Sequence, residues 1–217
     1  IKSGDLFQLY KDNNSGIVWT SLDKNHNHEY YYLSEKYIPH KEKKGFFGFL
    51  YLFVQKIMFR YKLNNLKNHI NKNKTVLDYG SGGLRCGFGL LDFLEPESYS
   101  CADISDVFLK EALNNSFLLA NLFEHKKGVF YEIDNNDIPK RYYDLIISTY
   151  VVPHIVKDQL SNYFNAIENY LKNDGIFYFD FMPSPFCLKQ NLTTFTYPYR
   201  LIIDELNKSG MKIIKTY

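Results

Sequence analysis

The sequence predicts an α/β fold, a mostly parallel, doubly wound sheet behind a helical N-terminal cover, and three observations carry that expectation. Residues Thr75 to Ser105, TVLDYGSGGLRCGFGLLDFLEPESYSCADIS, read as strand, glycine turn, helix and second strand ending on a carboxylate. Later segments such as YDLIISTYVVPHI and KNDGIFYFDF are continuous apolar runs, which suit strands buried on both faces. The charge is divided as well: residues 1–74 carry 13 Lys and Arg against 6 Asp and Glu, a balance of +7, whereas the remainder carries 13 against 18, or −5. We place the boundary at the polar NKNK link just before Thr75, giving a basic, aromatic-rich segment 1–74 and a domain 75–217.

Taken in order, Gly45 to Leu63 (GFFGFLYLFVQKIMFRYKL) is strongly apolar and aromatic, with Lys56, Arg60 and Lys62 punctuating its later part, and is predicted to be helical. One reading packs this helix against the sheet; the other makes it a lid over a hydrophobic substrate or an interfacial helix. Val76 and Leu77 begin the first strand. Gly80, Gly82 and Gly83 then let the backbone turn without Cβ clashes. A helix from Leu84 to Leu94 ends before Pro96, and Tyr99 to Ala102 is the second strand. Gly128 to Asp134 is the third, Tyr143 to Ile155 the fourth and Lys172 to Phe181 the fifth. Between the last two, Val156 to Leu171 reads as a helix with Leu160, Phe164, Ile167 and Leu171 along one face. Tyr197 to Ser209 is a further helix, capped by Gly210, before a final strand from Met211 to Tyr217.

The chemistry concentrates at the glycine turn. Its backbone can lie against a ligand, and the exposed amides of the next helix favour an electronegative group. Asp103 closes the second strand about 20 residues further on, where a carboxylate can accept from both ribose hydroxyls. Dinucleotide-binding turns space their glycines as G-x-G-x-x-G, whereas this one begins with an acid and runs D-Y-G-S-G-G-L-R from Asp78. It resembles motif I of the class I S-adenosylmethionine-dependent methyltransferases, D-x-G-x-G-x-G. Leu84 stands where the third glycine would be, and Gly83, Leu84, Arg85 and Gly87 look like the family's G-x-L-R-x-G variant.

The resemblance covers most of the chain from Thr75 onward and implies a Rossmann-like three-layer sandwich that binds S-adenosylmethionine. It implies that Asp78 orders the loop and approaches the methionine amino group, and that Gly80, Ser81 and Gly82 lie beside the cofactor. By the same resemblance Asp103 and Ile104 hold the ribose end, Asp134 and Asn135 lie near the adenine, and Ser148 closes the fourth strand against the cofactor. His154, just past that strand, matches a position where relatives carry a histidine near the acceptor; an imidazole there can serve as general base, or simply pack the helix start. Tyr150 is a candidate for shaping the acceptor site. Asp180, a lone carboxylate at the end of the fifth strand, is read as structural, since a metal site needs several convergent ligands.

Further upstream, EYYYLSEKYIPHKEKKGFFGFLYLFVQKI is similar to the segment preceding motif I in bacterial methyltransferases of surface-polysaccharide and secondary-metabolite pathways, which read roughly Y-x-S-x-x-Y-I-S-H. Tyr37, Ile38 and His40 match and Pro39 replaces the serine, so Tyr37 and His40 become candidates for substrate or cofactor contact. The family's seventh strand has no counterpart before Tyr217 and the chain opens on Ile1, so the sequence is expected to be a piece of a longer chain or trimmed at both ends.

Composition narrows the rest. With 45% hydrophobic and 23% charged residues the chain is ordinary globular protein. Its three cysteines, Cys86, Cys101 and Cys187, are not spaced as metal ligands or as a disulfide framework, which fits a reducing cytoplasm. There is no signal peptide and no apolar stretch long enough for stable membrane insertion, although the basic, aromatic segment is compatible with peripheral contact. The cations form no compact patch with a nucleic-acid motif, so no nucleic-acid partner is expected. Nothing sets an oligomeric state. The reading is a methyltransferase acting on a small-molecule acceptor, foremost by O-methylation of a sugar or glycoconjugate precursor. A quinone-like or aromatic acceptor, or a catalytically silent cofactor-binding subunit, are the alternatives.

Overall fold

A computed structural model describes residues 8–11, 18–21, 54, 57, 58, 60, 61, 64, 66, 74–82, 96–103, 129–132, 138–189 and 194–216. The chain divides into two compact units, Ile1–Lys41 and Glu42–Tyr217. In the first, β1 (Gln8–Lys11) pairs antiparallel with β2 (Val18–Ser21). This hairpin adds strands to a segment expected to be helical, and its signal lies in the composition: Leu9, Tyr10, Val18, Trp19 and Thr20 favour strand, and the intervening DNNSG is rich in turn formers.

The second unit is built on a five-stranded sheet of β3 (Thr75–Tyr79), β4 (Ser98–Asp103), β5 (Val129–Glu132), β6 (Tyr143–Ser148) and β7 (Leu171–Phe179). The order is β5-β4-β3-β6-β7 and every pairing is parallel. Strand order therefore reverses between β3 and β6, the switch point at which open α/β sheets bind ligands beyond the carboxyl ends of their strands. Register brings those ends level, with Asp78 opposite Cys101, Asp103 opposite Glu132 and Ser148 opposite Phe179.

The core follows from the apolar strands. Val76, Leu77, Leu145, Ile146 and Ile147 are buried, and α1 (Leu160–Tyr170) joins Leu160, Phe164 and Ile167 to Leu77 and Ile146 in one core on the stripe its periodicity predicted. Leu171, expected on the same stripe, is buried as the first residue of β7 instead. A ladder of rings runs along one face of β7: Phe177 and Phe179 stack at 4.9 Å, followed by Phe181 and then Tyr199 at the start of α2 (Tyr199–Lys208). Glu205 of α2 ties the two helices through the Ser161 hydroxyl and also pairs with Lys208. A short antiparallel pair, β8 (Leu188–Lys189) and β9 (Phe195–Thr196), lies between β7 and α2.

α2 ends as predicted at Gly210, whose φ is +79°. The Gly210 N–H donates to the Asn207 carbonyl and the Met211 N–H to the Leu206 carbonyl, a Schellman ending. The strand expected beyond it does not form: residues 211–216 have no strand pairing, and Ile213 and Ile214 are exposed. A strand needs a neighbour's backbone, and local pattern alone cannot supply one. Upstream, helical residues occur at Val54, Ile57, Met58, Arg60, Tyr61 and Asn64, and the apolar ones share one face at i, i+3, i+4 and i+7. That face is exposed, from 45% at Val54 to 80% at Tyr61, so at these residues the helix does not bury its stripe against the sheet. No helix among the described residues is long and apolar enough to cross a membrane.

Candidate active site

The glycine turn leaves β3 with its backbone tied to β4. The N–H groups of Gly80 and Ser81 both donate to the Ala102 carbonyl, at 2.7 and 3.1 Å. Gly80 and Gly82 take φ values of +78° and +53°, in the left-handed region where glycine avoids a steric cost. The two differ in their surroundings. A Cβ on Gly80 would lie 2.2 Å from Cγ2 of Val151, whereas one on Gly82 would meet nothing within 4 Å among the described residues. Gly80 is thus pressed against the chain after β6, and Gly82 faces space left open by the described residues.

Asp103, the last residue of β4, reaches back across that space: its Oδ2 accepts the Gly82 N–H at 2.8 Å. Asp78 lies deeper, 1% exposed, and its Oδ2 accepts the Tyr99 hydroxyl at 2.6 Å. Burial pushes the Asp78 carboxyl up to about 7; the Tyr99 hydrogen bond opposes this, and the neighbouring Asp103 charge adds to it. Burial, followed by the Asp78 charge, likewise raises the Cys101 thiol, keeping it protonated and inert. Reasoning from the sequence alone misses Tyr99, because its role depends on register. Tyr99 and Cys101 alternate with their neighbours on β4, which brings the Tyr99 ring diagonally beside Asp78.

Because the folded-state value of Asp78 lies above its ordinary 3.8, folding takes up a proton there between the two values. The stability this contributes is complete below about pH 4 and is lost as pH rises toward 7. The thermal midpoint should therefore fall across that window in the wild type, by the equivalent of at most about 4 kcal/mol, and much less in Asp78→Asn. Parallel profiles for the two proteins would contradict the assignment.

The wall behind the turn is a second buried network. Ser148 is fully buried; its hydroxyl donates to the Tyr79 carbonyl at 2.8 Å and accepts from Tyr163 of α1 at 2.7 Å. It supports the turn from beneath. Tyr150 and His154 follow β6 at the same carboxyl edge. Tyr150 is half exposed with φ +61°, and His154, half-buried, ends a 3₁₀ turn, Val152–His154, begun by Pro153 and its neighbours. The structure thus gathers Asp78, Gly80, Ser81, Gly82, Asp103, Ser148, Tyr150 and His154 at one end of the sheet. Tyr37, His40, Ile104, Asp134, Asn135 and the predicted helix Leu84 to Leu94 lie outside the described residues.

This fold recurs in solved structures. The chain is similar to a SAM-dependent methyltransferase from Leishmania major, with 18% identity, a TM-score of 0.59 and coverage of 77% of this chain and 66% of that one. It is equally similar to the magnesium protoporphyrin IX methyltransferase of Synechocystis PCC 6803, solved with bound SAM, with 18% identity, a TM-score of 0.60 and coverage of 75% and 71%. The chain has the fold of the class I SAM-dependent methyltransferases. The cyclase SpnF shares this fold too, with 11% identity, a TM-score of 0.60 and coverage of 72% and 59%, so chemistry has to be argued from the site. No family model and no curated protein matches the chain.

Proposed function

We propose that this chain binds S-adenosylmethionine and methylates a small-molecule acceptor, foremost a hydroxyl of a sugar or glycoconjugate precursor. The observation that carries the reading is Asp103 at the carboxyl end of β4, hydrogen-bonded across a left-handed glycine turn at the sheet's switch point. The residues fit the cofactor: the carboxylate suits a ribose diol, and among the described residues nothing lies within 4 Å of a Cβ at Gly82, so a ligand can approach its backbone there. Once bound, the cofactor supplies an already activated sulfonium methyl.

The protein's task is then to hold, orient and exclude water. Asp103 fixes the ribose, with Ile104 beside it and Asp134 and Asn135 toward the adenine. Asp78, buried against the Tyr99 hydroxyl, orders the turn, and its approach to the ligand's amino group requires Tyr99 to move aside. His154 takes the acceptor's hydroxyl proton as its oxygen is methylated, and Tyr150 shapes the acceptor side. Tyr37 and His40 are proposed as acceptor-side contacts on the resemblance of their segment alone. The buried Cys101 and exposed Cys187, both free thiols, suit a reducing cytoplasm.

Titration calorimetry with S-adenosylhomocysteine, with NAD as control, tests the reading: micromolar binding of the former alone is expected, and a preference for NAD or binding of neither overturns it. His154→Ala should keep that affinity within about twofold while slowing transfer by about 100-fold, and full activity in the variant would remove the base assignment. A chain that binds the ligand but methylates nothing would be a silent subunit.

One observation favours a second reading, a quinone-like or other apolar aromatic acceptor met at a membrane surface. The exposed stripe of Val54, Ile57, Met58 and Tyr61 lies within a stretch, 43–74, that carries eight Lys and Arg and no acid. An acceptor screen with and without anionic vesicles separates the two readings, since only the second expects turnover to rise with lipid.

A further inference from the structure

The turn after β6 is held from β7 through a hydrogen bond to its backbone. Tyr150 has φ +61°, a conformation that an aromatic residue keeps only where its surroundings impose it. Its N–H donates at 2.6 Å to Oδ1 of Asp180, the residue that follows β7. Tyr150 itself is 52% exposed. The next residue, Val151, is the one that abuts Gly80. Its carbonyl accepts the His154 N–H at 2.8 Å, which starts the 3₁₀ turn carrying that histidine. Beyond it, the Ile155 carbonyl accepts the buried Tyr197 hydroxyl, anchoring the far end.

We propose that Asp180 is a positioning residue whose carboxylate holds the Thr149–Val151 turn in its left-handed conformation, so that Val151 stays seated on Gly80 and His154 faces the site. A hydrogen bond to a carboxylate is short and stronger than a neutral one, which suits it to hold a backbone that would otherwise relax to negative φ. That relaxation would rotate Val151 away from Gly80 and loosen the glycine turn. Asp180 thus acts on cofactor binding from the far side of the sheet's switch point, without touching the ligand. The consequence for binding rests on the cofactor reading above; the backbone restraint itself does not.

The experiment compares Asp180→Ala, Asp180→Asn and the double variant Asp180→Ala/Tyr150→Gly by S-adenosylhomocysteine titration and thermal unfolding. Asp180→Ala should lose about tenfold in affinity, and Asp180→Asn, which keeps an acceptor oxygen, should stay within about threefold. The double variant should regain most of the loss, because glycine adopts φ near +61° without steric cost, and a role in general stability predicts no such rescue. Wild-type affinity in Asp180→Ala, or a double variant no better than the single one, overturns the proposal. If the wild type binds no S-adenosylhomocysteine, the methyltransferase reading fails separately and the thermal midpoints decide: Tyr150→Gly should raise the midpoint more in the Asp180→Ala background than in the wild type. Equal shifts in the two backgrounds overturn the restraint.

Discussion

Replacing Asp103 by alanine is expected to weaken S-adenosylhomocysteine binding by about 100-fold, near 2.7 kcal/mol. Two losses combine. The ribose would lose charge-assisted hydrogen bonds, each among the stronger polar contacts a site can make. The Gly82 N–H would lose the acceptor that now lies 2.8 Å away, freeing the glycine turn. Asp103→Asn separates the two, since an amide oxygen can still accept from Gly82 while its NH₂ group offers the diol no second acceptor. Calorimetry on both variants checks this, and wild-type affinity in Asp103→Ala would withdraw the ribose assignment.

Gly80→Ala is expected to damage the fold more than any other single methyl added in the turn. An alanine at φ +78° carries the left-handed penalty of about 1–2 kcal/mol. Its Cβ would also sit 2.2 Å from Val151 Cγ2, which adds overpacking of about 1–3 kcal/mol. A total near 3 kcal/mol corresponds to a fall of about 9 °C in the thermal midpoint for a domain of this size. Gly82→Ala makes the contrast: φ is +53° but nothing among the described residues lies within 4 Å of the added methyl, so stability should fall by only about 1–2 kcal/mol. On the proposed function that methyl would crowd the ligand, and affinity should suffer instead. Thermal unfolding and titration of the pair decide this, and equal midpoints would refute the close packing of Gly80.

Much of the architecture is legible in the sequence because it is local. A parallel strand buried on both faces is a short apolar run, as β6 is; β7 is legible from a similar run, although at the end of the strand order it is mostly half-buried and not covered on both faces as its composition predicts, and β3 and β4 are placed by the glycine turn between them. The α1 stripe of Leu160, Phe164 and Ile167 is visible in the 3.6-residue period, and Gly210 marks the end of α2 by the rule that a left-handed C-cap wants glycine. The turn from Asp78 to Gly82 and the acid at Asp103 are likewise contiguous signals, because the chemistry of a βαβ unit repeats at fixed separations along the chain. The β1–β2 hairpin is equally local, but a basic, aromatic composition read over a longer window obscures a short alternating one.

What stays hidden depends on contacts between residues far apart in sequence. Tyr99 holds Asp78 from 21 positions away, Tyr163 holds Ser148 from 15 and Asp180 holds the Tyr150 backbone from 30. Those pairings are set by strand register and helix docking, which no single segment encodes. The expected strand at residues 211–216 fails for the same reason, since apolar alternation proposes a strand but a neighbouring backbone has to accept it. The sequence by itself determined the order of elements, the buried stripes and the glycine turn with its distal acid, because propensity, periodicity and left-handed glycine are properties of short segments. Only the tertiary structure decided that Asp78 is sealed beneath Tyr99, that Ser148 supports the turn through Tyr79, and that Val151 rests on Gly80, because burial and hydrogen-bond partners exist only once distant strands are brought side by side.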